Sequence, residues 1–281
     1  MSLRDALRRL RLYYKSRALF EQTLADPGVT RWLPLRRGGA QAEIRWKDGG
    51  AWTMQARHWP HLPSACRLHA AGIEFELLDA AKRIRFDGLT LYSPLWAREE
   101  ANYYRETLRD DVYGVKGSDL SGATVIDVGA YVGDSTLAFA RQGAAVHAFE
   151  PSQAFCGFIR RNLEANALAE RVALHPVGLA ERAETRHTAN DTLHFVEGVG
   201  YAIGHLPRNA DLLKLDCEGG EYHLLADPRF LSHLRPRRIR MEYHRGPGPL
   251  LGHLERDGYR VELGSADGPV GLLSATRMDT A

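Results

Sequence analysis

The sequence predicts an α/β fold built on a mostly parallel sheet with one antiparallel edge strand. Two observations lead to this expectation. From residue 124 onward, short apolar runs rich in β-branched residues alternate with segments of helical periodicity, as in crossover units that join parallel strands. Near residue 267, two further runs are joined across Asp267-Gly268, which indicates an antiparallel hairpin. Residues 1–110 lack this alternation, so we expect a separate region there, followed by the α/β domain over residues 111–281.

The composition is that of a globular protein without a strong electrostatic field. The 281 residues are 44% hydrophobic, which is enough for a sizeable core, and the formal net charge is only +2. Nucleic-acid binding is therefore not favoured, since it would depend on local patches. The cysteines are far apart and lack metal-ligand spacing, which predicts neither a disulfide framework nor a zinc site. They are Cys66, Cys156 and Cys217.

The amino terminus predicts an amphipathic helix. Ser2 and Asp5 form a candidate capping box, and Pro27-Gly28 would end the helical region. The basic and apolar residues that share this helix are Arg4, Arg8, Arg9, Arg11, Lys15 and Arg17 with Leu3, Leu7, Leu10 and Tyr14. The arginines exclude a signal peptide, and no apolar run approaches the roughly 20 residues of a membrane-spanning helix, so we expect a cytoplasmic protein. The leucine face would pack on the domain or on a second copy in a homo-oligomer; a membrane-surface or nucleic-acid anchor is the alternative.

Residues 40–118 predict a small antiparallel β region followed by one aromatic helix. Polar and apolar residues alternate in three runs separated by glycine-containing turn signals. The runs are 43–46, 73–77 and 83–86, and the turns are 47–50 and 87–88. From Ser93 to Tyr113, aromatic residues recur at helical spacing. We expect this helix to pack on the core or to line a substrate pocket.

Residues 124–141 predict a strand, a glycine turn and a helix. The strand is apolar enough to be buried on both faces, and Asp127 lies near its carboxyl end. Gly129 and Gly133 allow the backbone to turn sharply and to approach a ligand closely. Asp134 and Ser135 suit the first turn of the helix that follows.

A carboxylate follows the next strand. Residues 145–149 form a second apolar run, and Glu150 comes directly after it. Ligands of open α/β sheets bind at the carboxyl ends of the strands, where a carboxylate can accept hydrogen bonds from both ribose hydroxyls. The segment therefore predicts a nucleoside-containing ligand. The alternative is an ordinary α/β turn with Glu150 as a surface acid.

The glycine spacing indicates which nucleoside it is. The pattern is Asp127-x-Gly129-x-x-x-Gly133, and Tyr131 stands where a dinucleotide fingerprint has its second glycine. A tyrosine there disfavours a pyrophosphate but leaves room for an amino-acid tail. The sequence also lacks the glycine-rich lysine motif of nucleoside triphosphate sites. S-adenosylmethionine thus fits better than NAD or ATP.

The remaining chain continues the α/β alternation. A polar, glycine-containing stretch over residues 181–209 predicts a loop or hairpin over the pocket. The other predicted strands are 172–175, 211–216, 238–243, 259–263 and 271–276, and the helices between them are 154–166, a segment after 220, and 250–256.

The combined motifs resemble those of FkbM-type S-adenosylmethionine methyltransferases, over about residues 95–276. The matching segments are Val125-Ile-Asp-Val-Gly-Ala-Tyr-Val-Gly-Asp-Ser-Thr, Phe149-Glu-Pro, Leu213-Lys-Leu-Asp-Cys-Glu-Gly-Gly-Glu221 and Met241-Glu-Tyr-His244. The resemblance implies a Rossmann-like class I methyltransferase sheet. Two positions depart from the family pattern, since Tyr131 replaces the usual asparagine and Gly220 the usual alanine.

The resemblance also implies which residues hold the cofactor. Glu150 would bind the ribose hydroxyls, and Pro151 and Ser152 would border the adenosine. The residues expected at the methionine portion are Asp127, Gly129, Ala130, Tyr131 and Gly133, with Asp134 and Ser135 completing the predicted site.

Candidate catalytic residues lie at or just beyond the ends of the central strands. They are Asp216, Glu218, Glu242 and His244, with Glu221 in the same crevice. A hydroxyl acceptor is a poor nucleophile, so a base or a cation should assist, and His244 is the predicted base because its ordinary pKa is near neutrality. Clustered carboxylates could instead bind Mg²⁺. We do not favour a metal, because acids at a glycine turn also cap helices and pair with lysine.

These expectations predict an S-adenosylmethionine-dependent methyltransferase acting on a hydroxyl of a small molecule, with a sugar or polyketide-like acceptor implied by the resemblance. Two alternatives are an RNA methyltransferase, in which the basic helix binds RNA, and a non-catalytic protein that only binds the cofactor. An NAD-dependent oxidoreductase is a third. Salt-dependent RNA binding, activity after loss of His244, and NADH binding would identify them respectively.

Overall fold

The computed structural model describes residues 14–32, 40–97, 100–188 and 191–278. The chain forms two compact units, Met1–Arg105 and Glu106–Ala281. The predicted capping box of Ser2 and Asp5 lies outside the described residues, together with most of the basic residues of the predicted first helix. Within the described ranges, no helix is both long enough and apolar enough to cross a membrane.

The first unit contains two small antiparallel sheets. Helix α1 covers residues 14–23 in its described part, and the other helices are α2 (Val29–Trp32), α3 (Leu62–Ala70) and α4 (Glu100–Tyr104). The strands are β1 (Gln41–Arg45), β2 (Ala51–Gln55), β3 (Glu74–Leu77), β4 (Ala81–Phe86) and β5 (Leu89–Pro94). β1 pairs with β2, and β3, β4 and β5 form a meander. The predicted antiparallel region is confirmed.

The alternation of the sequence explains how this unit builds its core. Residues along β1 are alternately exposed and buried, so that Ala42 and Ile44 point inward. They pack in one cluster with Phe20, Trp46 and Trp59. Burial of these large side chains provides the main favourable free energy of the unit.

The predicted helix from Ser93 to Tyr113 is wrong at both ends, although residues 100–109 are helical. Ser93 and Pro94 are paired with β4 as the end of β5, and the described helix α4 is followed by a π-helical turn over Arg105–Arg109. Asp111 then takes a left-handed conformation, with φ +54°. The aromatic spacing gave a helical period, but strand pairing decided the first residues and a tight turn the last.

The second unit is a seven-stranded sheet of mostly parallel strands. Its strands are β6 (Thr124–Val128), β7 (Ala145–Phe149), β8 (Val172–His175), β12 (Leu212–Leu215), β13 (Arg238–Tyr243), β14 (Tyr259–Asp267) and β15 (Val270–Arg277). The spatial order is β14-β15-β13-β12-β6-β7-β8, and β15 is the one strand of this sheet that runs opposite to the other six. The predicted α/β Rossmann-like class is confirmed, with the reversed strand β15 lying second from the edge.

Helices join the parallel strands. They are α5 (Asp134–Arg141), α6 (Gln153–Ala165), α8 (Glu221–Ala226), α9 (Pro228–Leu234) and α10 (Gly248–Arg256). All four residues of β12 are buried, and so are the last four of β6. Both strands are therefore apolar along their buried length, except at Lys214 in β12 and Asp127 in β6. The register of the two strands places Lys214 beside Asp127.

The segment after β8 is more ordered than the predicted loop. It contains β9 (Gly178–Ala180), β10 (Glu184–His187), β11 (Thr192–Glu197) and helix α7 (Gly198–His205). β10 and β11 form the hairpin that was one of the two predicted alternatives. The helix was not predicted, because three glycines weaken its pattern, but Glu197 caps it through hydrogen bonds from the backbone N–H groups of Val199 and Gly200.

Candidate functional site

Asp127 lies at the centre of a buried charge cluster. Its Oδ2 accepts hydrogen bonds from Ser135 Oγ at 2.8 Å and Thr136 Oγ1 at 2.6 Å. Its Oδ1 lies 3.1 Å from Lys214 Nζ, which also donates to the Gly129 carbonyl. Burial alone would lower the pKa of Lys214, but the charges of Asp127 and its acidic neighbours outweigh it and leave that pKa raised. Asp127 therefore connects Ser135, at the start of α5, with Lys214, which in turn holds the Gly129 carbonyl of the turn.

The glycine turn is fixed by backbone contacts. The N–H groups of Gly129 and Ala130 both donate to the carbonyl of Phe149, at 3.0 and 2.9 Å. A Cβ on Gly129 would lie 1.7 Å from the Asp216 carbonyl oxygen, and φ is +86° there. Only glycine fits this position, because the chain leaving β12 passes directly over it.

Tyr131 takes an unusual conformation in the same turn. Its φ is +52°, a region that asparagine and glycine adopt more readily than tyrosine. Its N–H donates to Glu150 Oε2 at 2.9 Å, and its ring packs edge-on against Phe155 at 4.6 Å between centroids. The turn then reaches Gly133, also at positive φ, which precedes the first residue of α5.

Glu150 is held at the tip of β7 by two backbone groups. Besides the contact from Tyr131, its Oε1 accepts a hydrogen bond from Ser152 N at 2.9 Å. The residue is only 6% exposed, and burial raises the pKa of its carboxyl to about 8. Each oxygen has a second lone pair, so the carboxylate can still accept a ligand hydroxyl.

Pro151 and Ser152 connect this tip to the β10–β11 hairpin. The Pro151 carbonyl accepts a hydrogen bond from His194 N at 2.9 Å. Ser152 caps α6 by accepting from Phe155 N and donates its hydroxyl hydrogen to Asp191, which also accepts from Ala154 N. Ser152 is thus used to pin the hairpin beside Glu150.

Asp134 is a second buried acid of the turn. Burial raises the pKa of its carboxyl to about 6, although a hydrogen bond with Thr107 and the charge of Lys214 act in the opposite direction. Asp134 is also the first residue of α5, where the helix dipole favours a negative charge. The structure thus gathers all ten predicted cofactor residues around one turn and one strand tip.

The four predicted catalytic side chains also come together, around His244 Nε2. The distances from this atom are 3.8 Å to Asp216 Oδ1, 3.6 Å to Glu218 Oε2 and 3.6 Å to Glu242 Oε1. On the other side of the ring, His244 Nδ1 lies 3.1 Å from Oε1 of the buried Glu221. The site therefore consists of one imidazole facing three carboxylates and backed by a fourth.

The surroundings of the His244 ring bear on its predicted role as a general base, which stays a prediction. The hydrogen bond with Glu221, together with the charges of the nearby carboxylates, raises the pKa of His244 to about 9. A raised pKa favours the charged imidazole, whereas a general base and a metal ligand both need the neutral form. Glu221 is thus a partner of His244 that the sequence pattern did not reveal.

Two residues of this region were missed by sequence reasoning. Tyr113 is buried and donates a hydrogen bond from its hydroxyl to Asp216 Oδ2 at 3.2 Å. Burial and the charge of Asp216 raise its pKa well above the ordinary value, so the phenol stays neutral. Thr107 reaches Asp134 in the same way. Both precede the sheet in a segment whose sequence carries no signal for these contacts.

Several solved structures of methyltransferases are similar to this chain at low sequence identity. No protein-family model matches it, and no curated protein matches its sequence. FkbM methyltransferase from Methylobacillus flagellatus KT is 19% identical, with a TM-score of 0.45 over 62% of this chain and 50% of that one. Trm5b from Pyrococcus abyssi is 11% identical, with a TM-score of 0.44 over 72% and 61%. Magnesium protoporphyrin IX methyltransferase from Synechocystis PCC 6803, solved with bound SAM, is 17% identical, with a TM-score of 0.43 over 64% and 82%.

The alignment spans less than two thirds of the length of the first two structures. These three TM-scores are below 0.5, and the fold class follows from the strand order of the sheet alone.

Proposed function

We propose that the second unit binds S-adenosylmethionine and transfers its methyl group to a hydroxyl of a small molecule. The observation that carries the proposal is Glu150, a buried carboxylate at the tip of β7 that is held by Tyr131 N and Ser152 N beside the glycine turn after β6. This is the position at which open α/β sheets bind a ribose.

The contacts of the turn argue against a dinucleotide. A pyrophosphate is bound by free backbone N–H groups at the start of a helix. Here the N–H groups of Gly129 and Ala130 both donate hydrogen bonds to the Phe149 carbonyl, and the Tyr131 N–H donates one to Glu150. A ligand with an amino-acid tail needs no such cradle. These contacts support S-adenosylmethionine over NAD.

The acidic side chains around His244 supply a place for the acceptor. In the proposed reaction the acceptor oxygen attacks the methyl carbon, the carbon–sulfur bond breaks, and its electron pair returns to sulfur, leaving S-adenosylhomocysteine. The hydroxyl proton passes to one of the carboxylates. Since the sulfonium is already activated, alignment of the two substrates is the main requirement, and alignment can lower the barrier by several kcal/mol.

Resemblance of the motifs to FkbM-type enzymes supports a sugar or a polyketide-like acceptor. It rests on motifs that include Lys214, which lies 3.8 Å from Asp216, and Glu221, which accepts a hydrogen bond from the His244 N–H. A turnover assay with S-adenosylmethionine against a panel of such acceptors tests this half of the proposal.

The cofactor half is tested by calorimetric titration with S-adenosylhomocysteine. We expect micromolar binding to the wild-type protein and binding at least about tenfold weaker to Glu150→Gln, because one charged hydrogen-bond acceptor is lost. Glu164→Gln, an acid on the exposed face of α6, is the matched control and should bind like the wild type. Binding of NADH in place of S-adenosylhomocysteine would show that the ligand is misassigned.

A further inference from the structure

The side chains around His244 surround a gap of the size of a metal ion. Nε2 of His244 lies 3.8 Å from Asp216 Oδ1 and 3.6 Å from Glu242 Oε1, beyond the range of a hydrogen bond. All three atoms lie within 4.8 Å of one another. Around an ion with metal–ligand distances of about 2.1 Å, neighbouring ligand atoms are roughly 3.0–3.4 Å apart. The two distances from Nε2 exceed these spacings by only a few tenths of an ångström.

Two buried groups outside this set aim the ligand atoms at the gap. Glu221 accepts at its Oε1 from the His244 backbone N–H at 3.2 Å and lies 3.1 Å from Nδ1, which leaves Nε2 facing the carboxylates. Tyr113 donates to Asp216 Oδ2, which leaves Oδ1 facing Nε2. Metal-binding histidines and carboxylates are oriented in this way, with a carboxylate on the second ring nitrogen and a donor on the second oxygen.

The charge balance of the region also favours a cation. Four carboxylates surround one imidazole: Asp216, Glu218, Glu221 and Glu242. Lys214 is 3.8 Å from Asp216 but 3.1 Å from Asp127, whose charge it already balances. Glu218 is 89% exposed and is therefore screened by water, whereas Asp216 and Glu242 are each 30% exposed.

We propose that Asp216 Oδ1, Glu242 Oε1 and His244 Nε2 bind a divalent first-row transition-metal ion such as Mn²⁺. The imidazole nitrogen favours Mn²⁺ or Zn²⁺ over Mg²⁺, which prefers oxygen ligands and keeps its water. Three protein ligands leave open positions for water or for an oxygen of a substrate. One further step rests on the proposed function. An acceptor hydroxyl occupies one of these open positions, where the metal ion activates it.

Binding of Mn²⁺ to the full-length, chelator-treated protein is measured by the loss of the free-ion electron paramagnetic resonance signal. We expect one ion per chain. Asp216→Asn, Glu242→Gln and His244→Gln should each weaken binding at least tenfold, and Zn²⁺ but not equimolar Mg²⁺ should displace the ion. Tyr113→Phe, which keeps the ring and removes only the hydrogen bond to Asp216, should weaken it about tenfold.

The control is Glu262→Gln, which removes the same charge from the exposed edge strand β14 and should leave Mn²⁺ binding unchanged. Circular dichroism and titration with S-adenosylhomocysteine without metal show that each variant is folded. Wild-type binding no tighter than that of the double variant Asp216→Asn/Glu242→Gln would overturn the metal site. Mn²⁺ binding without any binding of S-adenosylhomocysteine would instead overturn the proposed function and leave the metal site standing.

Discussion

Two groups of charged side chains stand at the carboxyl edge of the same sheet, and they are built in opposite ways. Around Asp127 and Lys214, each charged atom contacts a partner from the chain itself, at 2.6–3.1 Å. Around His244 Nε2, the nearest oxygens of three carboxylates lie 3.6–3.8 Å away. These carboxylates carry more negative charge than one imidazole can balance. The first group is complete without a ligand and supports the backbone. The second is left open, as expected of side chains that act on something from outside.

The largest difference between the two groups should appear in stability. Lys214→Met leaves Asp127 buried and uncompensated, so we expect the free energy of unfolding to fall by about 3–5 kcal/mol. Glu242→Gln removes one of several repelling carboxylates and should change it by less than about 1 kcal/mol. Urea denaturation measures both. Arg229→Met, which removes an exposed ion pair with Asp227, is the control and should cost at most about 1 kcal/mol. Equal losses at Lys214 and Glu242 would contradict the distinction.

A somewhat smaller loss is expected where the turn meets the chain leaving β12. Gly129→Ala places a Cβ against the Asp216 carbonyl and holds a side chain at φ +86°, so it should lower the free energy of unfolding by about 3 kcal/mol. Gly157→Ala is the matched control, because that glycine lies within α6 with nothing near its missing Cβ. It should stabilise the protein by up to about 1 kcal/mol. Thermal and urea unfolding compare the two variants; a tolerated Gly129→Ala would show that the turn is looser than described.

The smallest expected effect is a pH dependence of ligand binding at Glu150. Burial gives its carboxyl a pKa of about 8 in the ligand-free protein, above the ordinary value. Ribose hydroxyls that donate to the carboxylate favour its charged form, so the affinity for S-adenosylhomocysteine should rise as the pH increases toward 8 and level off above it. We expect a change of up to about tenfold per pH unit below 8. Calorimetry between pH 6 and 9 measures it, and the slope should vanish in Glu150→Gln; a slope of the opposite sign would contradict the assignment.

The sequence was most informative where burial and local geometry act together. The bounds of β7, β8, α5 and β13 agree with expectation, because apolar residues recur in each at the spacing of a strand or a helix. The position of Glu150 followed from the same pattern. The sequence pattern did not reveal contacts between distant segments of the chain. Tyr113 reaches Asp216 across 103 residues, and Glu221 alters His244 across 23. The raised pKa of His244 depends on that second contact, which residue type and spacing do not reveal.

The close passage of the Asp216 carbonyl over Gly129 also bears on how such a protein could diverge. Duplicated genes commonly gain new specificities through insertions and backbone shifts in loops. Here the backbone after β12 cannot move toward the turn without striking it, and an insertion there would disturb the turn as well. Natural drift and directed evolution should therefore retain the main chain at Gly129 and Asp216. A change of the proposed acceptor should come from exchanging side chains such as Glu218, or from remodelling segments that the turn does not touch.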